Sequence, residues 1–253
     1  ILEQQVPDYQ PMVTKWNVAS GDTINIKVYS PYDYTYDENG DEQAIPLENT
    51  TDFEIDWGDG TVEHYTKDNL NYEEHEYYYG SGYITHTYGE ENINLMRLSS
   101  STYEVTITIT GSCNTIAMLE NGNLTSIEDW GYTGSAIYDF YYCRNLSSIA
   151  SPRANTFKNV TDFGSTFTGC SNLSSIPEDL FTNCPNMTSF YGTFAGCSNL
   201  SSIPEDLFAN CPNVISFYRT FAGCTSLTGE TIIPIWENYP ETLTEENGYV
   251  GIP

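Results

Sequence analysis

The chain has 253 residues, with 35 acidic against 8 basic side chains and a formal charge of −27 at pH 7. Four basic residues in each half cannot build the cationic face that displaces counterions from nucleic acid, so nucleic acid is excluded as a partner, and adsorption to anionic lipid is disfavoured on the same ground. No apolar run of about 18 residues occurs, so no membrane insertion is expected of this segment.

The first residue is Ile1 and no leader of charged, apolar and small residues follows. The expectation is a processed chain or an internal fragment, with more protein beyond Pro253. Composition changes midway. Residues 1–111 are rich in Tyr, Thr, Asp and Glu without a repeat, whereas residues 112–229 carry all seven cysteines and every repeat. This predicts two domains with a boundary near Gly111, followed by an irregular tail over 230–253.

In chain order, Met12–Ala19 and Thr23–Tyr29 flank Ser20-Gly21-Asp22 and read as two strands of a hairpin. Asp37–Glu42 spaces carboxylates alternately but lacks the glycine and final glutamate of a calcium loop. Its Asn39-Gly40 equally marks a hairpin turn, and no metal site is assigned. Asp52–Trp57 alternates around Phe53, Ile55 and Trp57. The run Tyr77–Tyr83 reads as a loop with the adaptable Tyr, Gly and Ser chemistry of contact surfaces, or as an edge. Tyr103–Thr110 places Tyr103, Val105, Ile107 and Ile109 on one face at period two. Short strands between Gly, Asn and Asp turns predict an antiparallel β-sandwich of about 100 residues.

One motif is more specific. Trp57-Gly58-Asp59-Gly60 follows a strand, and Thr85-His86-Thr87-Tyr88 precedes the last one. This resembles the polycystic-kidney-disease-type immunoglobulin-like domains over about residues 50–111, with insertions near 30–50 and 67–83 that depart from the family pattern. The resemblance implies that Trp57, Asp59 and His86 are scaffold residues rather than a catalytic or metal pair.

The second half keeps a clock. Cys143, Cys170, Cys197 and Cys224 recur every 27 residues, and FTGCSNLSSIPEDLFTNCPNMTSFY at 167–191 returns as FAGCSNLSSIPEDLFANCPNVISFY at 194–218. Self-similarity at such a period marks a solenoid of stacked units. Leu146, Leu173, Leu200 and Leu227 share a column, as do Phe140, Phe167, Phe194 and Phe221. Each coil is read as a short parallel strand, Asn-Leu-Ser-Ser-Ile. A short helix follows, opened by Pro177 or Pro204 and the acids after it. The spacing of Val214, Phe217, Tyr218 and Phe221 predicts a second one. Asn145, Asn172 and Asn199 are expected to be buried and to bond backbone along the stack. Cysteines of one column lie about 4.8 Å apart but point the same way, which suits a disulfide poorly. Cys143, Cys170, Cys197 and Cys224, with Cys184 and Cys211, are therefore expected to be structural buried thiols rather than disulfides or metal ligands.

The repeats, as in Phe194–Pro204 and Phe208–Phe217, resemble the BspA-like leucine-rich-repeat surface proteins over about residues 123–229. The whole chain is then multidomain: an all-β immunoglobulin-like sandwich followed by a leucine-rich-repeat solenoid. Candidate ligand-binding residues are the hydroxyl ladders Ser147/Ser174/Ser201 and Ser148/Ser175/Ser202, with Tyr191, Tyr218 and Arg219. Beside them run the carboxylates Glu178/Glu205 and Asp179/Asp206. The rival reading is that small residues are tolerated on a crowded sheet and acids sit at helix starts.

No catalytic constellation is found: His64, His75 and His86 all lie far in sequence from the repeat cysteines, and no phosphate loop occurs. The expectation is a non-enzymatic, cofactor-free binding or adhesion protein. The resemblance places it outside a bacterial cell, on its surface, facing a protein or glycan ligand on a host or neighbouring cell. The alternatives are a phage virion fibre or decoration protein built from the same modules, and an accessory binding region of a polysaccharide-active enzyme.

Overall fold

The computed structural model describes residues 9–29, 32–36, 42–46, 51–70, 73–75, 78–89, 96–97, 101–135 and 137–227. Among them no helix occurs. The strands are β1 (Met12–Val18), β2 (Thr23–Tyr29), β3 (Tyr32–Tyr36), β4 (Glu42–Pro46), β5 (Asp52–Asp56), β6 (Val62–Thr66) and β7 (Glu73–His75). There follow β8 (Tyr78–Thr87), β9 (Met96–Arg97), β10 (Tyr103–Ser112), β11 (Thr115–Ala117), β12 (Leu124–Asp129), β13 (Ile137–Asp139) and β14 (Ser148–Ile149). Residues 37–41 of the carboxylate segment, with its Asn39-Gly40 turn, and the tail 230–253 lie outside the described residues.

Alternation drives the two main sheets. Met12, Thr14, Trp16 and Val18 of β1 are buried, as are Phe53 and Ile55 of β5 and Val105, Ile107 and Ile109 of β10. One sheet runs β14-β12-β1-β10-β5-β6, with β9 pairing β10; the other runs β13-β11-β2-β8-β7; β3 and β4 form a separate pair. The buried faces merge into a single apolar cluster that continues from Met12 to Leu227.

Three expectations are corrected here. First, β1 and β2 are not a hairpin: β1 pairs β10 and β12, whereas β2 pairs β8 and β11. Ser20-Gly21-Asp22 instead carries the chain between sheets, tied by Asp22 N–H to Ala19 O (3.1 Å) and Gly21 N–H to Tyr88 O (2.8 Å). The turn signal is the same in both cases; what differs is where the strand amides find partners. Second, Tyr78–Tyr83 is the start of β8, not a loop.

Third, the short helices expected in each coil are single turns. Leu180 N–H reaches Pro177 O at 3.2 Å and Leu207 N–H reaches Pro204 O at 3.2 Å, each a three-residue reach. The backbone groups that would continue a helix bond to the preceding coil instead: Ile215 N–H donates to Thr188 O at 2.8 Å, and Tyr218 O accepts from Gly192 N–H at 2.9 Å. Helical spacing of apolar residues is satisfied equally by a coil whose backbone is paired sideways. The Asn-Leu-Ser-Ser-Ile strand is likewise sparse. It is a strand only at β14; later coils contribute single bonds such as Asn199 N–H to Ser171 O (3.2 Å).

The repeats do lie over one another. Phe163, Phe167 and Gly169 donate to Ser189, Thr193 and Ala195 at 3.0, 2.9 and 2.7 Å, and one repeat later Phe190, Phe194 and Gly196 donate to Ser216, Thr220 and Ala222 at 2.9, 2.8 and 2.7 Å. Phe140, Phe167, Phe194 and Phe221 stack face to face with centroids 5.7, 5.4 and 5.6 Å apart.

The join with the first half is continuous. Gly111 sits within β10; β11 pairs β2 antiparallel and β13 parallel, while β12 pairs β1 antiparallel and β14 parallel. Strand direction therefore changes from antiparallel to parallel at β11 and β12. Trp130 fills the junction, edge-on to Tyr138, Phe140 and Phe157 at 5.6, 5.8 and 5.0 Å.

Candidate binding surface

The tryptophan–histidine cluster of the first half is closed. His86 Nε2 and Asp59 Oδ2 are 2.8 Å apart, with side chains 10% and 0% exposed. Trp57 stacks on His86 at 4.7 Å, and its indole N–H donates to Glu63 Oε2 at 2.7 Å. Tyr88 hydroxyl donates to Trp57 O at 2.8 Å. Burial pushes the Asp59 carboxyl up, but hydrogen bonds from Thr61 and His86 outweigh it and hold the group below the usual carboxylate range. Gly58, at φ +77°, has no room for a Cβ, which would meet Thr106 O at 2.4 Å. The cluster ties the end of β5 to β8 through these internal bonds.

The thiols are equally inward. All seven cysteines are free and buried. Cys143, Cys170, Cys197 and Cys224 donate to Met118, Phe140, Phe167 and Phe194 carbonyls at 2.7, 3.2, 3.2 and 3.0 Å, and Cys211 to Phe181 O at 3.6 Å. Burial raises the Cys143, Cys211 and Cys224 thiols to about 12, far from nucleophilic thiolates. Cys184 shifts upward for the same reason.

Outward, the repeats present two strips. Ser147, Ser148, Ser174, Ser175, Ser201 and Ser202 are all exposed, between the buried leucine column and Ile149, Ile176 and Ile203. Ser201 Oγ donates to Ser174 O at 3.4 Å and Ser147 Oγ to Thr125 O at 3.1 Å, so the hydroxyls follow the stack. Asn145, Asn172 and Asn199 are exposed, contrary to expectation. Only their backbone neighbours need burial, so the amide side chains bond at the rim: Asn145 Nδ2 to Gly122 O at 2.6 Å and Asn172 Nδ2 to Asn145 Oδ1 at 3.3 Å. In the second strip Tyr191 stacks on Tyr218 at 5.6 Å, with Tyr191 47% exposed and Arg219 exposed beside them. Serines and tyrosines belong to different segments of each coil.

Sequence reasoning missed a third feature. A half-open depression of about 350 Å³ is lined by Glu120, Gly122, Tyr141, Tyr142 and Arg144. Two of these residues have left-handed backbone: Glu120 at φ 55° and Tyr142 at φ 57°. The inter-coil ladder makes them equivalent to Gly169, Gly196 and Gly223, at φ 76°, 75° and 76°. The corner thus demands positive φ, and the first two coils meet it with side chains. For a tyrosine this costs on the order of 1–3 kcal/mol. Tyr142 folds over the next corner, where a Cβ on Gly169 would lie 3.0 Å from its ring. Arg144 Cζ sits 5.1 Å from the Tyr142 centroid, and Tyr141 lies 4.5 Å from Tyr142. Beneath, Asp139 Oδ1 accepts the Tyr141 N–H at 3.0 Å. Burial lifts Asp139 to about 6 against the pull of that bond and of Lys27. The signal was present: the Phe-x-Gly-Cys pattern of later coils reads Phe140-Tyr141-Tyr142-Cys143 here.

Among the described residues no group of three or more His, Cys, Asp or Glu could hold a metal ion, and no helix is long and apolar enough to cross a membrane. Comparison with protein-family models, with curated proteins and with solved structures returns no match.

Proposed function

We propose that this chain is a non-enzymatic binding protein that works outside a bacterial cell. Its repeats, read as BspA-like leucine-rich repeats, present a recognition surface, and its first half, read as a polycystic-kidney-disease-like sandwich, serves as the spacer behind it. One observation carries the reading. The seven thiols are buried and the His86–Asp59 pair is enclosed, whereas serine hydroxyls and stacked tyrosines are turned outward in register. Ordered small polar and aromatic side chains suit adhesion to a glycan or a protein patch, since rigid aromatics contribute contact area at low entropic cost.

The test is binding of the purified chain to a glycan array and to extracted surface proteins of neighbouring bacterial and host cells. The comparison is a triple variant, Ser174→Lys, Ser201→Lys and Tyr218→Glu. The reading expects a bound partner whose retention falls at least tenfold in the variant. Partner binding that survives all three changes overturns the assignment of this face.

A further inference from the structure

At the depression of the first two coils an aromatic pair, a cation, a carboxylate and left-handed backbone meet. Later coils relax the same corner with glycine. Left-handed backbone at a bulky residue persists only where its surroundings hold it, and such strain clusters at ligand sites; it recurs at Ser165 and Arg219 on another corner of the coils. Tyr142 does not fill the core: it is only partly buried, and its partners are Tyr141, Arg144 and the Gly169 backbone.

We infer that this depression is a subsite for a single neutral hexopyranose ring, such as the terminal sugar of a glycan. At about 350 Å³ it lies at the small end of ligand sites and has room for one ring. Tyr141 and Tyr142 line the depression and are the apolar groups there that would meet the C–H face of a sugar. Glu120 accepts from hydroxyls, while Arg144 donates to them through a planar fork. The opposed charges of Glu120 and Arg144, in a chain of net charge −27, disfavour uronic and sialic acids. The site does not depend on the serine and tyrosine strips, which lie on other segments of the coils.

The experiment is saturation-transfer NMR with a shift titration of the intact chain. The probes are methyl glycosides of glucose, galactose, mannose and N-acetylglucosamine, alongside glucuronic and N-acetylneuraminic acid. At least one neutral glycoside binds with Kd on the order of 1 mM, as expected for a ligand of this size; the acids bind at least tenfold more weakly. Tyr142→Gly, which installs the residue used by the equivalent corners, abolishes binding without lowering Tm. If its Tm does fall, Arg144→Ala decides: Arg144 is exposed, so the fold is kept, and binding drops at least tenfold. The inference is overturned if no neutral glycoside binds below about 50 mM, if an acidic sugar binds preferentially, or if Arg144→Ala leaves affinity unchanged.

Discussion

Cys197 and Asp139 bear opposite relations to burial. The Cys197 thiol is content in the core and donates to Phe167 O at 3.2 Å. Cys197→Ser puts a more strongly hydrated hydroxyl on a shorter reach to that carbonyl, and is expected to cost about 1–3 kcal/mol in urea unfolding. Native thiol labelling should be slow at all seven cysteines and fast in denaturant; rapid native labelling would contradict their enclosure. Asp139, by contrast, is held protonated up to about pH 6 by desolvation, against about 3.9 when unfolded. The folded state therefore binds the extra proton between roughly pH 4 and 6. Stability is greatest below this window and falls as pH rises through it. Asp139→Asn keeps an acceptor for Tyr141 N–H and removes the penalty. It should stabilise by roughly 2–3 kcal/mol at pH 7.5 and by almost nothing at pH 3, read from paired urea melts. A constant difference across pH would refute the shift.

At the scale of elements, the phenylalanine column is the main internal support of the coils. Phe194 is fully buried between Phe167 and Phe221, at 5.4 and 5.6 Å. Phe194→Leu should cost less than Phe194→Ala, for which about 3–5 kcal/mol is expected; equal, small losses would mean that the column does not bear load. This column could be read from sequence because a 27-residue period leaves little freedom in which side chains meet. The same period could not say whether a coil closes with helices or turns, since Val214, Phe217 and Phe221 are buried under either pairing of their amides. The alternation of β1, β5 and β10 sets their inward faces, yet not their partners, so the Ser20–Asp22 turn reads equally as a hairpin. The corner at Tyr142 is hidden for a related reason. The near-identical copies at 167–191 and 194–218 both carry glycine there, and the feature sits where the first copy departs from them.

Across the whole molecule, β11 and β12 knit the halves together. Each pairs antiparallel with a strand of the first half and parallel with the next coil. A fragment ending at Gly111 would leave β1 and β2 with bare edges, cut through β10 and remove Trp130. It is expected to aggregate or to melt without a cooperative transition, whereas the chain through Leu227 should show one. Resolved amide spectra from the shorter fragment would contradict this. The charge of −27 repels itself in the compact state, so Tm should rise between 10 and 300 mM sodium chloride as the repulsion is screened.

The change of strand direction also gives the array a fixed foundation and an extensible body. Removing residues 194–220 would rejoin Thr193 to Phe221 with the same neighbours that Thr220 now gives it, and the fold should survive one rung shorter. The reach of this protein can therefore change by whole rungs while the seed on which they pile stays intact.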